Sequence, residues 1–432
     1  MKFNNSKEKH FYHTFSAILF TFIPLFLVTG PFLADLSMSL ISIVFLVYCL
    51  KKKNFSYFKN KYFFIFLIFC FYLIFNSLIN NFNLDSLKIS IFYFRYGVFV
   101  VAVIALLKFS DNFLRYFFYC IFGVFIILIL DGYYQYFAGE NFFGIQSGSD
   151  VRTSSFFGEE KILGSYLSRL WPIFFGLSII LYKKKNKIFL LTILVFVFSE
   201  TLIYLSGDRT AFFFINLSAI FVILLSNKLY KLRFFTMLLS VLLIILISFV
   251  NPVAYNRVFN QTIKQMNLDD KKKREQEGIL IFSKQHTHHY ITAYRMFLDN
   301  KILGVGVKNF RNYCDDARYE KSKLSCSTHP HNFYIQILAE TGIIGFLFLL
   351  TFLLYFSKFI FKHLLLRFEK KFYFNDFEIC ILSGILIYLW PFVPTGNVFN
   401  NWVNIITILN FPLLIWSLYL DNSSNSNKIV IS

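Results

Sequence analysis

The chain has 432 residues, of which 56% are hydrophobic, 21% aromatic and only 16% charged. These proportions exclude a soluble globular protein, because a dozen membrane spans of roughly 20 residues each would absorb an apolar content of this size. Lys and Arg number 43 against 24 acids, a net charge of +19, and in such a chain the placement of the charges decides orientation.

Apolar runs predict spans at about 14–31, 33–50, 62–79, 89–107, 113–137, 162–181, 188–205, 211–226, 234–250, 332–356, 376–394 and 398–420. Phe contributes 61 residues and Gly only 18, which suits a lipid-facing bundle padded with aromatics better than a channel of tightly packed small residues. The expected fold is an all-α, polytopic transmembrane bundle of about 12 spans, one integral-membrane domain over residues 1–432. A long loop at 251–331 is expected to carry short amphipathic helices.

Lys2, Lys7 and Lys9 precede the first run as in a signal peptide. A second span follows at once with no small-residue cleavage site, so the first run reads as retained. With the amino terminus inside, the inside segments hold 23 basic residues, whereas the short outside loops hold only Lys88, Arg152, Lys161 and Arg209. That asymmetry predicts both termini inside. The loop at 251–331 carries 14 basic residues outside, but it is long enough to translocate regardless of charge.

Cys49, Cys70, Cys120 and Cys380 fall within spans, where a thiol is a small buried hydrophobe. Cys314 and Cys326 share the long outside loop, and in an oxidising compartment they are a candidate disulfide; two free thiols are the alternative. Within that loop, Lys271 to Arg274 running into Glu275 and Glu277 reads as a solvated polar helix. From His289 to Asp299, Tyr290, Tyr294 and Phe297 recur at helical spacing beside Ile291 and Leu298, an amphipathic helix suited to a membrane surface. Gly304 and Gly306 mark the turn that ends it.

Ionisable residues within spans are costly and usually face a partner or an aqueous cavity. Arg95, Asp131, Arg169, Glu200 and Glu340 are such residues, each also readable as a structural pair. On the outside, Arg152, Glu159, Glu160 and Arg209 converge with His286, His288, His289, His329 and His331. Three chemistries compete for this group. A metal site is suggested by HTHH and HPH, although no HExxH-type pair is present. An ion or proton pathway in a transporter or flippase is suggested by the intramembrane charges, without the interrupted paired spans of inverted-repeat transporters. Group transfer from an anionic lipid-linked donor needs an Arg fork for the leaving diphosphate and a base for the acceptor hydroxyl, which Arg209 and His331 could supply.

The stretch HPHNFYIQILAETGIIG at 329–345 closely resembles the signature of the O-antigen ligase and polymerase family. SGDRTAFF at 206–213, KILGVGVKNF at 301–310 and RTSSFFGEEKILGSYL at 152–167 are similar to further segments of that family, so the likeness covers residues from about 150 to 345. The resemblance implies a metal-independent inverting glycosyltransferase of the GT-C type on the periplasmic face of the bacterial inner membrane, needing no cofactor. It implies a glycan donor on undecaprenyl diphosphate, and an acceptor that is lipid A core for a ligase or another lipid-linked glycan for a polymerase; ligase-like transfer is favoured. Membrane lipids surround the chain and no nucleic-acid partner is expected. By motif, His331 corresponds to the residue that activates the acceptor hydroxyl and Arg209 to the one that holds the diphosphate. Arg152 and Glu160 are expected at the substrate. The family often carries an Arg ahead of the amphipathic loop helix, where this chain has His286 and His288. Glu340 belongs to the signature and is expected to brace the bundle, and Asn332 to cap the tenth span.

Overall fold

A computed structural model of the chain describes residues 3–80, 83–147, 152–182, 186–226, 230–250, 252–369 and 371–424. Lys2, Lys183 to Lys185, Lys228, Lys370 and Lys428, which weigh in the inside charge, lie outside the described residues. The described residues form helices and connecting loops, with one isolated bridge between Glu140 and Gln146. The all-α polytopic reading therefore holds.

The first helices are α1 (Phe3–Val28), α2 (Pro31–Lys52), α3 (Lys61–Ile79), α4 (Leu84–Phe92), α5 (Arg95–Phe109) and α6 (Phe113–Ala138). They are followed by α7 (Leu163–Tyr182), α8 (Asn186–Ser206), α9 (Arg209–Leu225) and α10 (Tyr230–Val250). Eight helices among the described residues are long and apolar enough to cross a membrane, or nine if the bent pair Phe234–Phe249 and Pro252–Gln265 counts as one. Three of the twelve predicted runs give shorter apolar helices: Leu190–Ser206, Arg209–Leu225 and the 14-residue α17 (Asp376–Leu389). The predicted run 376–394 overshoots that last helix, because its final residues leave the helix at Trp390 and Pro391.

Helix α7 is the centre of the bundle, with 89% of its span buried, whereas α3 has only 22% buried and turns Phe64, Phe71 and Phe75 outward. Small residues allow the close crossings. Gly176 meets Cys380 and Phe377 of α17, and Gly164 in the first turn of α7 meets Ala211 and Asp208. Several charges within spans hold the bundle together. Arg95 pairs with Asp35 at 2.8 Å. Asp131 accepts from the Phe142 amide at 2.9 Å and from the Ser155 hydroxyl, so it ties down the segment that leads to Arg152.

The loop after α10 contains α11 (Pro252–Tyr255), a π-helical turn Asn256–Asn260, α12 (Gln261–Gln265), α13 (Lys271–Glu277), α14 (Lys284–Asp299) and α15 (Phe310–Tyr313). The polar helix expected at 271–277 is α13, and the amphipathic helix is α14, which starts five residues earlier than its apolar spacing suggests because Ser283 caps it from His286 N. The loop is bound to α16 (Phe333–Phe368) through backbone. Val305 N donates to Ala339 O and Gly306 N to Glu340 O, both at 2.9 Å, and Ile343 N donates to Lys301 O at 2.8 Å. Those bonds require α16 to break at Gly342, whose φ of 63° and ψ of −165° fall in a region that only glycine occupies readily. Glu340, fully buried, accepts from the Phe310 amide and from Gln336 Nε2, each at 3.0 Å. It is a brace between loop and helix, with no part of its carboxylate left exposed.

After α17 the chain runs without helix to α18 (Asn401–Ile408) and α19 (Asn410–Ser424). A side chain at Gly342 would overlap the Ile302 carbonyl as well as strain the backbone. Gly342→Ala should therefore cost about 1–3 kcal/mol in backbone strain alone, seen as a lowered thermal unfolding midpoint of purified protein in detergent; an unchanged midpoint would contradict the break as a required feature.

Candidate active site

Helix α8 ends at Ser206, and the turn Gly207–Asp208 leads directly into α9. Asp208 caps α9 by accepting from Ala211 N at 3.1 Å, which leaves Arg209 as the first helical residue. Gly207 has φ +67°, and a side chain there would overlap Arg257. The glycine thus serves both the left-handed turn and the close approach of a second guanidinium. Arg209 Nη1 donates to Thr262 Oγ1 and to Gln265 Oε1 at 3.0 Å each, bonds that tie it to α12. It lies within the electrostatic reach of Arg152 and Arg257, and Asp208 attracts both Arg152 and Arg169. Arg169 is further held over the Phe214 ring at 5.0 Å and by Ser165 Oγ at 3.1 Å. Arg152, Arg169 and Arg209 therefore share one carboxylate, Asp208, with Arg257 against Gly207 beside them, at the amino end of a helix whose unpaired amides also favour negative charge.

A group of imidazoles adjoins them. His331 sits just before α16 with φ 57°. Its carbonyl accepts from Thr395 N at 2.8 Å, Thr395 Oγ1 accepts from Phe333 N at 3.0 Å, and Asn332 caps α16 while donating to Pro391 O at 2.8 Å. The segment after α17 thus clamps the residue, and Ser327 Oγ lies 3.1 Å from His331 Nε2. Ring centroids place His329 at 4.1 Å from His331, and His286 and His289 each at 5.4 Å. His329 Nε2 donates to Thr395 O at 3.3 Å, which leaves Nδ1 to accept from Thr328 Oγ1 at 2.9 Å. His286 also senses the charge of Arg209, which puts the imidazole and guanidinium groups within one electrostatic neighbourhood.

Of the residues singled out in the sequence, Arg152, Arg209, His286 and His331 come together. His288 turns to Ser322, with Nδ1 2.6 Å from its hydroxyl, and His289 takes the place beside His331. Residues 286 and 289 share a helix face three positions apart, whereas 286 and 288 do not. Glu160 is exposed at the end of a short 3-10 helix, Ser155–Glu160. Cys314 and Cys326 are bonded, with Cα atoms 4.9 Å apart, and Cys314 packs in the cluster of Ala293, Met296 and Phe310, so the bridge ties the chain just before Ser327 to that cluster. Arg257 and Thr395 were not anticipated. Nothing separates Arg257 from the other basic residues of its loop, whereas Pro391, Pro394 and Gly396 around Thr395 are the breaker signal that ends a span early. Among the described residues, no group of three or more His, Cys, Asp and Glu side chains is arranged to hold a metal ion.

Residues 190–350 match the family model described as O-Antigen ligase. Over those residues the chain is similar to O-antigen ligases. The match covers somewhat more than a third of the chain and includes Arg209, Arg257, the four imidazoles, the disulfide and Glu340, while Arg152 and Thr395 come from outside it. No curated protein matches the chain. The chain thus combines the apolar helices of a multi-pass membrane protein with a region of the O-antigen ligase type.

In this site the histidines are held neutral. Burial, with His329, His286 and His289 as neighbours, pushes His331 down to about 3. Burial likewise pushes His286 to about 4, helped by His289 and Arg209, and His329 to about 4, helped by Arg311. A free imidazole titrates near 6.5, so the unfolded chain takes up protons first. Stability from these groups is complete above about pH 6.5 and is lost as pH falls toward about 3. Thermal unfolding across that window should show a steeper acid loss for wild type than for the His286→Gln/His329→Gln double variant; parallel curves would contradict it.

Proposed function

We propose that the protein transfers a glycan from undecaprenyl diphosphate to an acceptor hydroxyl on the periplasmic face of the inner membrane, in the manner of an O-antigen ligase acting on lipid A core. The observation that carries this reading is the joining of a guanidinium cluster around Arg209 to a neutral imidazole cluster around His331. A leaving diphosphate needs cations where its charge develops, and an attacking hydroxyl needs a base within reach.

In the proposed step, the acceptor oxygen forms a bond to the anomeric carbon as the bond from that carbon to the diphosphate oxygen breaks. The acceptor's proton passes to His331, and the electron pair leaves with the diphosphate, held by Arg209 with Arg152 and Arg257 beside it. A single displacement of this kind inverts the anomeric centre. An imidazole at about 3 is a weak base in the empty site. The negative charges of a bound diphosphate favour its protonated form and raise it toward the range where proton transfer is efficient. Donor binding would thereby switch on the base.

His331→Ala and Arg209→Ala should each lower transfer by about 10²–10³-fold with unchanged expression and unfolding midpoint, measured with purified protein, lipid-linked donor and lipid A core. Near-normal transfer in either variant would remove its assigned role. No metal takes part in the proposed step, so activity should survive chelator treatment, and loss that zinc or magnesium restores would overturn that part. Transfer to a lipid-linked glycan in place of lipid A core would assign the protein as a polymerase.

A further inference from the structure

A second cationic site lies beside the imidazole cluster. A cavity of about 390 Å³ opens between α4 and the turn that leads into α15, lined by Asn83, Asp85 and Lys88 on one wall and by Lys308, Arg311 and Asn312 on the other. Both walls are fixed. Ser86 Oγ donates to Val307 O at 2.6 Å, Asn309 Nδ2 donates to Val305 O at 3.0 Å, and Asn312 Nδ2 donates to Asn309 Oδ1 at 2.9 Å. Lys308 is held at φ 59°, a left-handed conformation that a side chain adopts only when its surroundings impose it.

Three cations thus face one carboxylate. That carboxylate, Asp85, meets Lys88 only at 3.9 Å with both side chains mostly exposed, so it neutralises little. Lys308 lies within the electrostatic reach of Arg311, Asp85 and the buried Glu340, whose carboxylate is already engaged by the Phe310 amide and Gln336 and does not line the cavity. The cavity also has a short route to the imidazoles. Arg311 Nη2 donates to Thr328 O at 3.2 Å, Thr328 Oγ1 contacts His329 Nδ1 at 2.9 Å, and His329 adjoins His331. His331 is therefore flanked by Arg209 through His286 and by Arg311 through His329.

We propose that the cavity between α4 and Lys308–Asn312 binds a phosphate group on the acceptor glycan and so presents the acceptor hydroxyl to His331. The cation excess suits a dianion, and lysine and arginine together suit phosphate oxygens. This assignment rests on the transfer reading for the word acceptor, whereas the phosphate site itself can be read by binding alone.

The test uses the full-length protein in phosphatidylcholine nanodiscs, with glucose 6-phosphate as the probe and glucose as its control, followed by saturation-transfer NMR. Glucose 6-phosphate should bind wild type, Arg209→Ala and Lys88→Arg/Lys308→Arg alike, and about tenfold more weakly to Lys88→Gln/Lys308→Gln. Lys88 is exposed, so the single variant Lys88→Gln, with a smaller loss in the same direction, guards against misfolding of the double variant. Binding no tighter than glucose, or a loss confined to Arg209→Ala, would overturn the site. Displacement of the probe when phosphatidylglycerol is added to the nanodiscs would assign the cavity to a lipid headgroup and overturn the acceptor assignment. Phosphate binding that survives while wild type shows no transfer would sink the transfer reading and leave the phosphate site standing.

Discussion

Everything at the site end of this bundle depends on the backbone pairing between the Lys301–Gly306 segment and the broken helix α16. Long loops between spans are ordinarily free to move, and a base on one segment cannot then be kept in register with cations on another. Here three backbone hydrogen bonds and the buried Glu340 carboxylate join loop to span. Gly304 and Gly342 make the contact possible, since each abuts main-chain atoms of the other segment. Two separate sequence motifs, one around Gly304 and one around Gly342, are thus the two halves of one joint. Through that joint, and through the Cys314–Cys326 bridge, His286 and His289 on α14 are carried to His331 at the head of α16.

The electrostatics of the site follow from crowding like charges. Of the guanidinium groups gathered near Asp208, Arg209 is held by hydrogen bonds to Thr262 and Gln265, and Arg169 by Ser165 and the Phe214 ring. Such an arrangement is costly without an anion and is relieved by one. Burial keeps the adjoining imidazoles uncharged, helped at His331 by the neighbouring histidines and at His286 also by Arg209. In the proposed step an anionic donor would therefore couple binding to base strength, because the charge drawn to the guanidinium cluster would also make His331 a better acceptor of a proton.

Much of this was legible in the amino-acid sequence, and what was not has physical reasons. Composition and periodicity indicated a helical membrane protein. The placement of Arg209, His286 and His331 on one side followed from alternating spans, and the bracing role of Glu340 followed from its distance along the signature. The identity of the histidine beside His331 did not, because it depends on where α14 begins: capping by Ser283 starts the helix early and fixes the phase that presents His289 in place of His288. Span lengths were also overread. An apolar run does not reveal that Trp390 to Asn400 leaves the helix to clamp His331, although Pro391, Pro394 and Gly396 were visible there. Arg257 is a tertiary fact alone, reaching the site only because Gly207 leaves room for it.

The central claim is that one lipid-linked diphosphate is held by the guanidinium cluster while its sugar faces the imidazole of His331. The most direct test is an electron cryomicroscopy structure of the protein with the donor bound. The account predicts diphosphate oxygens within hydrogen-bonding distance of the Arg209 guanidinium and the anomeric carbon turned toward the His331 ring. A diphosphate seated elsewhere, with Arg209 still bonded only to Thr262 and Gln265, would contradict it.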